Sequence, residues 1–139
     1  MILLDTNVIS EFMGPAPDQQ VAHWLDLQSR SSVWTTSINV YEIRSGLLAM
    51  PAGKRRTTLE VKFEQLLQSA LQGRILHFDS DAVFRAAELC ADRRGRGRPV
   101  DDSDIMIAGI VLASHATLAT RNVKHFEDIA SSVVNPWEA

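Results

Sequence analysis

The sequence predicts an α/β fold, a single-domain three-layer α/β/α sandwich around a parallel sheet of four to five strands. Three observations carry this prediction. Short β-branched or leucine-rich runs alternate with longer stretches of helical periodicity along the chain, the pattern of repeated strand and helix units. The first run, Ile2-Leu3-Leu4, shows no polar alternation, as a parallel strand covered on both faces requires. Finally, 139 residues with 45% hydrophobic and 22% charged content suit one core and are too few for two. Residues 1–139 are therefore read as one domain.

The elements follow in order. The first strand stops at Asp5, and a short helix over about Asn7 to Met13 is closed by Gly14-Pro15-Ala16-Pro17. Asp18 can cap a second helix reaching toward Arg30, with Val21, Trp24 and Leu25 apolar and Gln28 breaking the stripe. Val33 to Thr36 reads as a strand. Ser37 is a plausible cap for a helix with Ile38, Tyr41, Ser45 and Leu48 on one side and Glu42 near its start, closed by Met50-Pro51-Ala52-Gly53. Leu59, Phe63, Leu66, Leu67, Ala70 and Leu71 keep helical spacing up to Gly73, a left-handed stop. Ile75 to Phe78 is a strand, Asp79 to Asp81 offers caps, and Val83, Phe84, Ala87 and Cys90 form the apolar stripe of a helix that ends near Gly95. Asp101 to Asp104 opens a helix ending near His115, Thr117 to Thr120 is a strand, and Val133-Val134 is a last one.

Composition narrows the function classes. One cysteine, Cys90, allows no intrachain disulfide and suits a reducing compartment. Asp5 stands where a signal peptide would be basic or apolar, and the longest nearly apolar run, Ile105 to Ala113, is too short for a membrane span. A cytoplasmic protein without membrane attachment is expected. Fourteen Lys and Arg against 17 Asp and Glu leave a net charge of −3, so any contact with nucleic acid depends on local clusters. Arg93, Arg94, Arg96 and Arg98, interrupted by Gly95 and Gly97, form one such cluster; Arg94, Arg96 and Arg98 are read as a loop that contacts phosphate, with a solvated connection as the plain alternative.

Carboxylates mark the candidate site. Asp5 sits at the carboxyl end of the first strand, where open α/β sheets bind ligands, and a buried unpaired carboxylate needs a cation or a cluster of donors. Asp104 opens a helix together with Asp101 and Asp102, three aspartates within four residues, more than capping requires. Glu42 lies one turn into a helix that starts directly after a strand. Each alone reads more simply as a cap or a solvated group. If the strands run parallel, the three converge on one edge and repel unless a counter-ion binds. Oxygen donors without nearby histidine or cysteine favour Mg²⁺ or Mn²⁺ over zinc. The four histidines are scattered, and neither a glycine-rich phosphate loop nor a nucleophile elbow is present.

The opening Met1-Ile2-Leu3-Leu4-Asp5-Thr6-Asn7-Val8-Ile9-Ser10-Glu11 resembles the start of PIN-domain proteins, in particular the VapC-type and FitB-like toxins of bacterial type II toxin–antitoxin modules. Ser37 to Gly46 with its Glu42, Asp104-Ile105-Met106-Ile107-Ala108, Leu118 to Asn122, and Asn135-Pro136-Trp137 are similar to later landmarks of that family, in order. The resemblance implies an Mg²⁺-dependent endoribonuclease, with Mn²⁺ able to substitute, whose Asp5, Glu42 and Asp104 are both catalytic and metal-binding. Thr6 and Thr120 match secondary polar positions. Many members carry a fourth carboxylate where this chain has Asn122, which can coordinate through its carbonyl but adds no charge. The implied partners are RNA, a cognate antitoxin, a second copy in a homodimer, and DNA only through the antitoxin. Ile9, Phe12, Met13, Val21, Trp24 and Leu27 offer apolar surface for such contacts.

Three alternatives stay open at this stage. An aspartyl-phosphate enzyme of the haloacid dehalogenase type would want an aspartate where Asn7 stands. A receiver-like signalling domain would need an acidic pair and a lysine that find no match. A non-catalytic PIN-fold protein acting within an antitoxin–DNA complex is distinguished from the enzyme by Mg²⁺-dependent RNA cleavage.

Overall fold

The structure is a computed structural model describing residues 1–139. Its sheet is built from β1 (Ile2–Leu4), β2 (Val33–Thr36), β3 (Ile75–Leu76), β4 (Thr117–Ala119) and β5 (Val133–Val134), all parallel, in the order β3-β2-β1-β4-β5. The helices are α1 (Thr6–Met13), α2 (Gln19–Asp26), α3 (Ser37–Ala49), α4 (Lys54–Gln65), α5 (Ser80–Gly95) and α6 (Asp102–Ser114). Side chains alternate across a strand, so Leu3 and Leu118 join α5 and α6 in one core layer. Leu4, Val33 and Ala119 join Val8, Trp24, Ile43 and Phe63 of α1 to α4 in the other. The predicted three layers and parallel sheet are present, with five strands. No helix is long and apolar enough to cross a membrane.

Local chemistry sets most boundaries. Asp18 accepts from the amides of Gln20 and Val21 and starts α2. That helix ends at Asp26, short of Arg30, because Leu27 is exposed and finds no core; a separate 3₁₀ turn over Arg30–Ser32 then feeds β2. The cap of α3 is Thr36, not Ser37: its hydroxyl accepts the Asn39 N–H at 3.1 Å. Past α4 the chain widens into a π turn over Leu66–Ala70, and Gly73, at φ +71°, ends it in the left-handed region as its sequence position suggests. Strand β3 stops at Leu76, two residues before the expected end.

The centre of the chain's long-range order puts β1 between β2 and β4, so the carboxyl ends of three strands and the amino ends of α1 and α3 lie side by side. On the opposite layer α5 and α6 approach closely at Gly109. A Cβ built there would lie 2.5 Å from the Ala82 carbonyl oxygen and 2.8 Å from the Ala86 Cβ. Both obstacles are fixed parts of α5 and cannot rotate aside. Gly109→Ala gains up to about 1 kcal/mol of helix propensity but meets an overpacking cost of about 1–3 kcal/mol. A thermal melt should therefore show a lower Tm; an unchanged or raised Tm would mean that α5 yields without cost.

Candidate active site

Asp5 occupies the end of β1 and is 5% exposed. As the cap of α1 it accepts the Thr6 N–H at Oδ1, 2.9 Å. Its remaining partners come from distant segments. Asn39 Nδ2 donates to Oδ1 at 2.8 Å, and Thr120 Oγ1 donates to Oδ2 at 2.6 Å. Neither donor is charged. A carboxylate offers about four acceptor directions, so three internal bonds leave Asp5 with capacity on Oδ2. Thr120 is itself oriented, since it accepts from the Asn122 N–H at 3.0 Å and from Asn7 Nδ2 at 3.4 Å.

Glu42 lies on the second turn of α3, half-buried, with Oε1 accepting the Thr6 hydroxyl at 2.7 Å. Burial pushes its carboxyl above the ordinary glutamate value. The Thr6 bond works against this shift, while the charges of Asp5, Asp104 and Asp101 add to it. Asp104, in the first turn of α6, has its amide capped by Asp101 Oδ1 at 3.0 Å. Its carboxyl is also raised, chiefly by burial and then by Asp101, with His125 opposing and Asp5 adding to the rise. His125 Nδ1 lies 3.0 Å from Asp104 Oδ2. Thus the fold brings Asp5, Glu42 and Asp104 from three separated segments within electrostatic reach of one another.

No three His, Cys, Asp or Glu side chains close on one point as a finished cation cage. The donor set nevertheless fits a hard, hydrated divalent ion. Mg²⁺ takes oxygen ligands, commonly only one or two protein carboxylates, and keeps several waters; Asp5, Glu42 and Asp104 each retain acceptor capacity beside a surplus of negative charge. Asn122 is exposed at the edge of this group, and its side chain forms no cap bond for the following turn.

Sequence reasoning placed the carboxylates and missed what supports them. Asn39 is fully buried, and an amide on the first turn of a helix carries no signal of that. His125 lies 21 residues past Asp104 and enters only through the 3₁₀ turn Val123–Phe126. The arginine cluster resolves into individual roles. Arg93 is 3% exposed and grips Asp128 with two bonds of 2.9 and 2.7 Å while donating to the His125 carbonyl at 2.7 Å. Arg96 pairs with Asp92 and Asp128, and Arg98 reaches the Lys124 carbonyl and lies near Glu127 and Asp128. The Arg93 guanidinium holds the Asp128 carboxyl down at about 2. Arg94 is exposed and in no ion pair. Near the site, Arg121 lies over the Trp137 ring at 4.7 Å, joining two of the sequence landmarks.

The raised carboxyl of Glu42 predicts a sign. A proton is held more tightly in the folded than in the unfolded chain, so this group's contribution to stability falls as pH rises from the ordinary value of about 4.3 through its raised folded value. Above that raised value, and without divalent ions, its charge is destabilising. Glu42→Gln keeps an oxygen for Thr6 and removes that charge, so the metal-free Tm at pH 7 should rise by roughly 2–4 °C, about 1 kcal/mol for a chain of this size. A lower Tm in a melt at pH 7 would show that the charge is already compensated.

Comparison with known proteins follows the same lines. A family model described as PIN domain matches residues 2–131. The chain is 42% identical over 138 residues to VapC ribonuclease Y4jK of Sinorhizobium fredii, covering 99% of each. It is 35% identical to Toxin FitB of Neisseria gonorrhoeae, again over 99% of each chain. The crystal structure of FitAcB from Neisseria gonorrhoeae superposes with a TM-score of 0.89 at 34% identity, covering 100% of both chains. A family model matched over most of the chain, together with relatives above 30% identity along its whole length, leaves one assignment: the chain belongs to the PIN-domain family.

Proposed function

We propose that this protein is a Mg²⁺-dependent endoribonuclease, with Mn²⁺ able to substitute, and the toxin of a type II toxin–antitoxin module. The observation that carries the reading is the meeting of Asp5, Glu42 and Asp104 at one sheet edge, with burial and mutual repulsion raising Glu42 and Asp104. The relatives support it by their names, a VapC ribonuclease and a toxin. Asp5 and Asp104 would hold the ion, and Glu42 a second ion or a water. When bound, a divalent ion offsets phosphate charge and lowers the pKa of a coordinated water.

The chain's own groups do the rest. Thr120 and Thr6, each donating to a carboxylate oxygen, hold Asp5 and Glu42 in orientation. Glu42 spends Oε1 on Thr6, which leaves Oε2 for the ion or water. Asn122, uncharged where many members carry a carboxylate, leaves three carboxylates and a formal charge of −3 in the site, so the free protein binds one divalent ion detectably and RNA phosphate completes any second site. Within the arginine loop, Arg94 is free for phosphate, whereas Arg96 and Arg98 would have to leave Asp92, Asp128 and Glu127. The second reading, a non-catalytic PIN-fold protein within an antitoxin–DNA complex, draws on the missing charge at Asn122 and predicts no cleavage.

Inhibition by an antitoxin fits a cavity of about 420 Å³ between α1, α2 and the π turn that follows α4, lined by Leu4, Ile9, Phe12, Leu25, Leu66 and Leu71 among others. Of the apolar residues noted in α1 and around α2, Ile9, Val21 and Trp24 are buried, Phe12 lines the cavity and Leu27 is exposed. The acidic edge would accept a basic side chain of the antitoxin, and DNA is reached only through that partner. A homodimer in the cytoplasm completes the proposal.

Two experiments test it. Asp5→Asn and Asp104→Asn should each abolish Mg²⁺-dependent RNA cleavage, a loss of at least about 10³-fold on the scale of removing a catalytic metal's ligand, while circular dichroism shows an intact fold. Wild-type rates in either purified variant sink the assignment. Phe12→Asp should weaken inhibition by the product of the adjacent gene and leave cleavage unchanged; full inhibition of that variant would remove the cavity as the docking site.

A further inference from the structure

Asn39 connects two of the acidic groups without touching solvent. Its carbonyl and amide ends are assigned by their neighbours. The Thr36 hydroxyl accepts the backbone N–H of Asn39 at 3.1 Å, so its one proton goes to Asn39 Oδ1, 2.6 Å away. Both hydrogens of Nδ2 are then committed, one to Asp5 Oδ1 at 2.8 Å and one to Thr6 Oγ1 at 3.0 Å. Thr6 Oγ1, already accepting, has its proton left for Glu42 Oε1 at 2.7 Å. The bonds form one directed chain, Thr36 to Asn39 to Thr6 to Glu42, with a branch onto Asp5. Reversing the Asn39 amide would set its carbonyl oxygen against a carboxylate and leave the Thr36 proton facing an N–H group, so the direction is determined.

We propose that Asn39 is a positioning residue of the site, which fixes the Asp5 carboxylate and, through the Thr6 hydroxyl, the Glu42 carboxylate in the orientation that receives a divalent cation. The inference rests on the reading of Asp5 and Glu42 as metal ligands. Neutral donors suit this task, because a lysine or arginine in the same place would compete with the cation for the carboxylates. Partners that orient metal ligands contribute 10–100-fold to metal affinity or activity. Asn39 acts without contacting RNA, so its contribution belongs to metal affinity and turnover and not to substrate binding.

Calorimetric titration of the full chain with Mn²⁺ alone tests this, using wild type, Asn39→Ala, Thr6→Val, the double variant and Asp5→Asn. Asn39→Ala should weaken Mn²⁺ binding about 10–100-fold and lower kcat for RNA cleavage similarly, with KM for RNA unchanged. The double variant should lose less than the product of the two single losses, because part of the effect of Asn39 passes through Thr6. A residue that merely fills space would lower Tm and show no such coupling. Wild-type Mn²⁺ affinity in folded Asn39→Ala, or strictly multiplicative losses, overturns the proposal while Asp5→Asn still abolishes binding. Wild-type affinity in Asp5→Asn overturns the ligand reading itself, and the role of Asn39 with it. Should Asn39→Ala fail to fold, Thr6→Val at its half-buried position decides: weakened Mn²⁺ binding supports the chain of bonds, and unchanged binding overturns it.

Discussion

The buried carboxylate of Asp5 is the constraint around which the sheet edge is arranged. A charge 5% exposed at the end of a strand costs several kcal/mol unless donors replace the water it loses. Those donors come from Thr6 next to it, from Asn39 and from Thr120, which lie 34 and 115 residues away. They can meet at one carboxylate only because β1 runs between β2 and β4 and is parallel to both. The strand order is thus what makes the charge tolerable, and the charge gives that edge its chemistry.

The two sides of the molecule treat charge differently. At the site, Glu42 and Asp104 are raised by burial and by neighbouring aspartates, so negative charge is left in excess. On the α5 side, Arg93 and Asp128 neutralise each other at 3% and 7% exposure, and the Asp128 carboxyl is held far below its usual range. The two regions join at the turn after β4. Arg93 donates to the His125 carbonyl, and His125 Nδ1 faces Asp104. A cluster that looks in sequence like a nucleic-acid patch therefore does part of its work inside the fold, anchoring the segment that borders the acidic site.

Much of the fold could be read from local patterns because those patterns reflect local physics. Asp18 and Asp79 cap their helices through their own side chains, Gly73 takes a left-handed conformation, and the unbroken apolar run of β1 requires cover on both faces. The misses share a cause as well. The early end of α2, the transfer of the α3 cap from Ser37 to Thr36, the shortness of β3, and the faces of α3 and α5, which bury Ile43 and Leu47 and Ala82, Ala86 and Leu89 while Tyr41, Leu48, Val83 and Phe84 stay exposed, depend on what each segment packs against, which no window of adjacent residues contains. The same holds for the site. Asp5, Glu42 and Asp104 were visible because carboxylates at strand ends and helix starts are conspicuous. Asn39 and His125 were not, since an amide or imidazole shows its role only through a partner far along the chain.

The sequence by itself determined the alternation of strands and helices, the points where most of them begin and end, and the segments that carry negative charge. Those properties follow from backbone propensity, capping and hydrophobic period, all of which act within a few residues. Only the tertiary structure decided which groups share a hydrogen bond. It turned Arg96 and Arg98 toward Asp128, buried Arg93, and ran a directed chain of donors from Thr36 through Asn39 and Thr6 to Glu42. Such contacts join residues tens of positions apart, and a hydrogen bond exists only when folding has brought a donor to within about 3 Å of its acceptor.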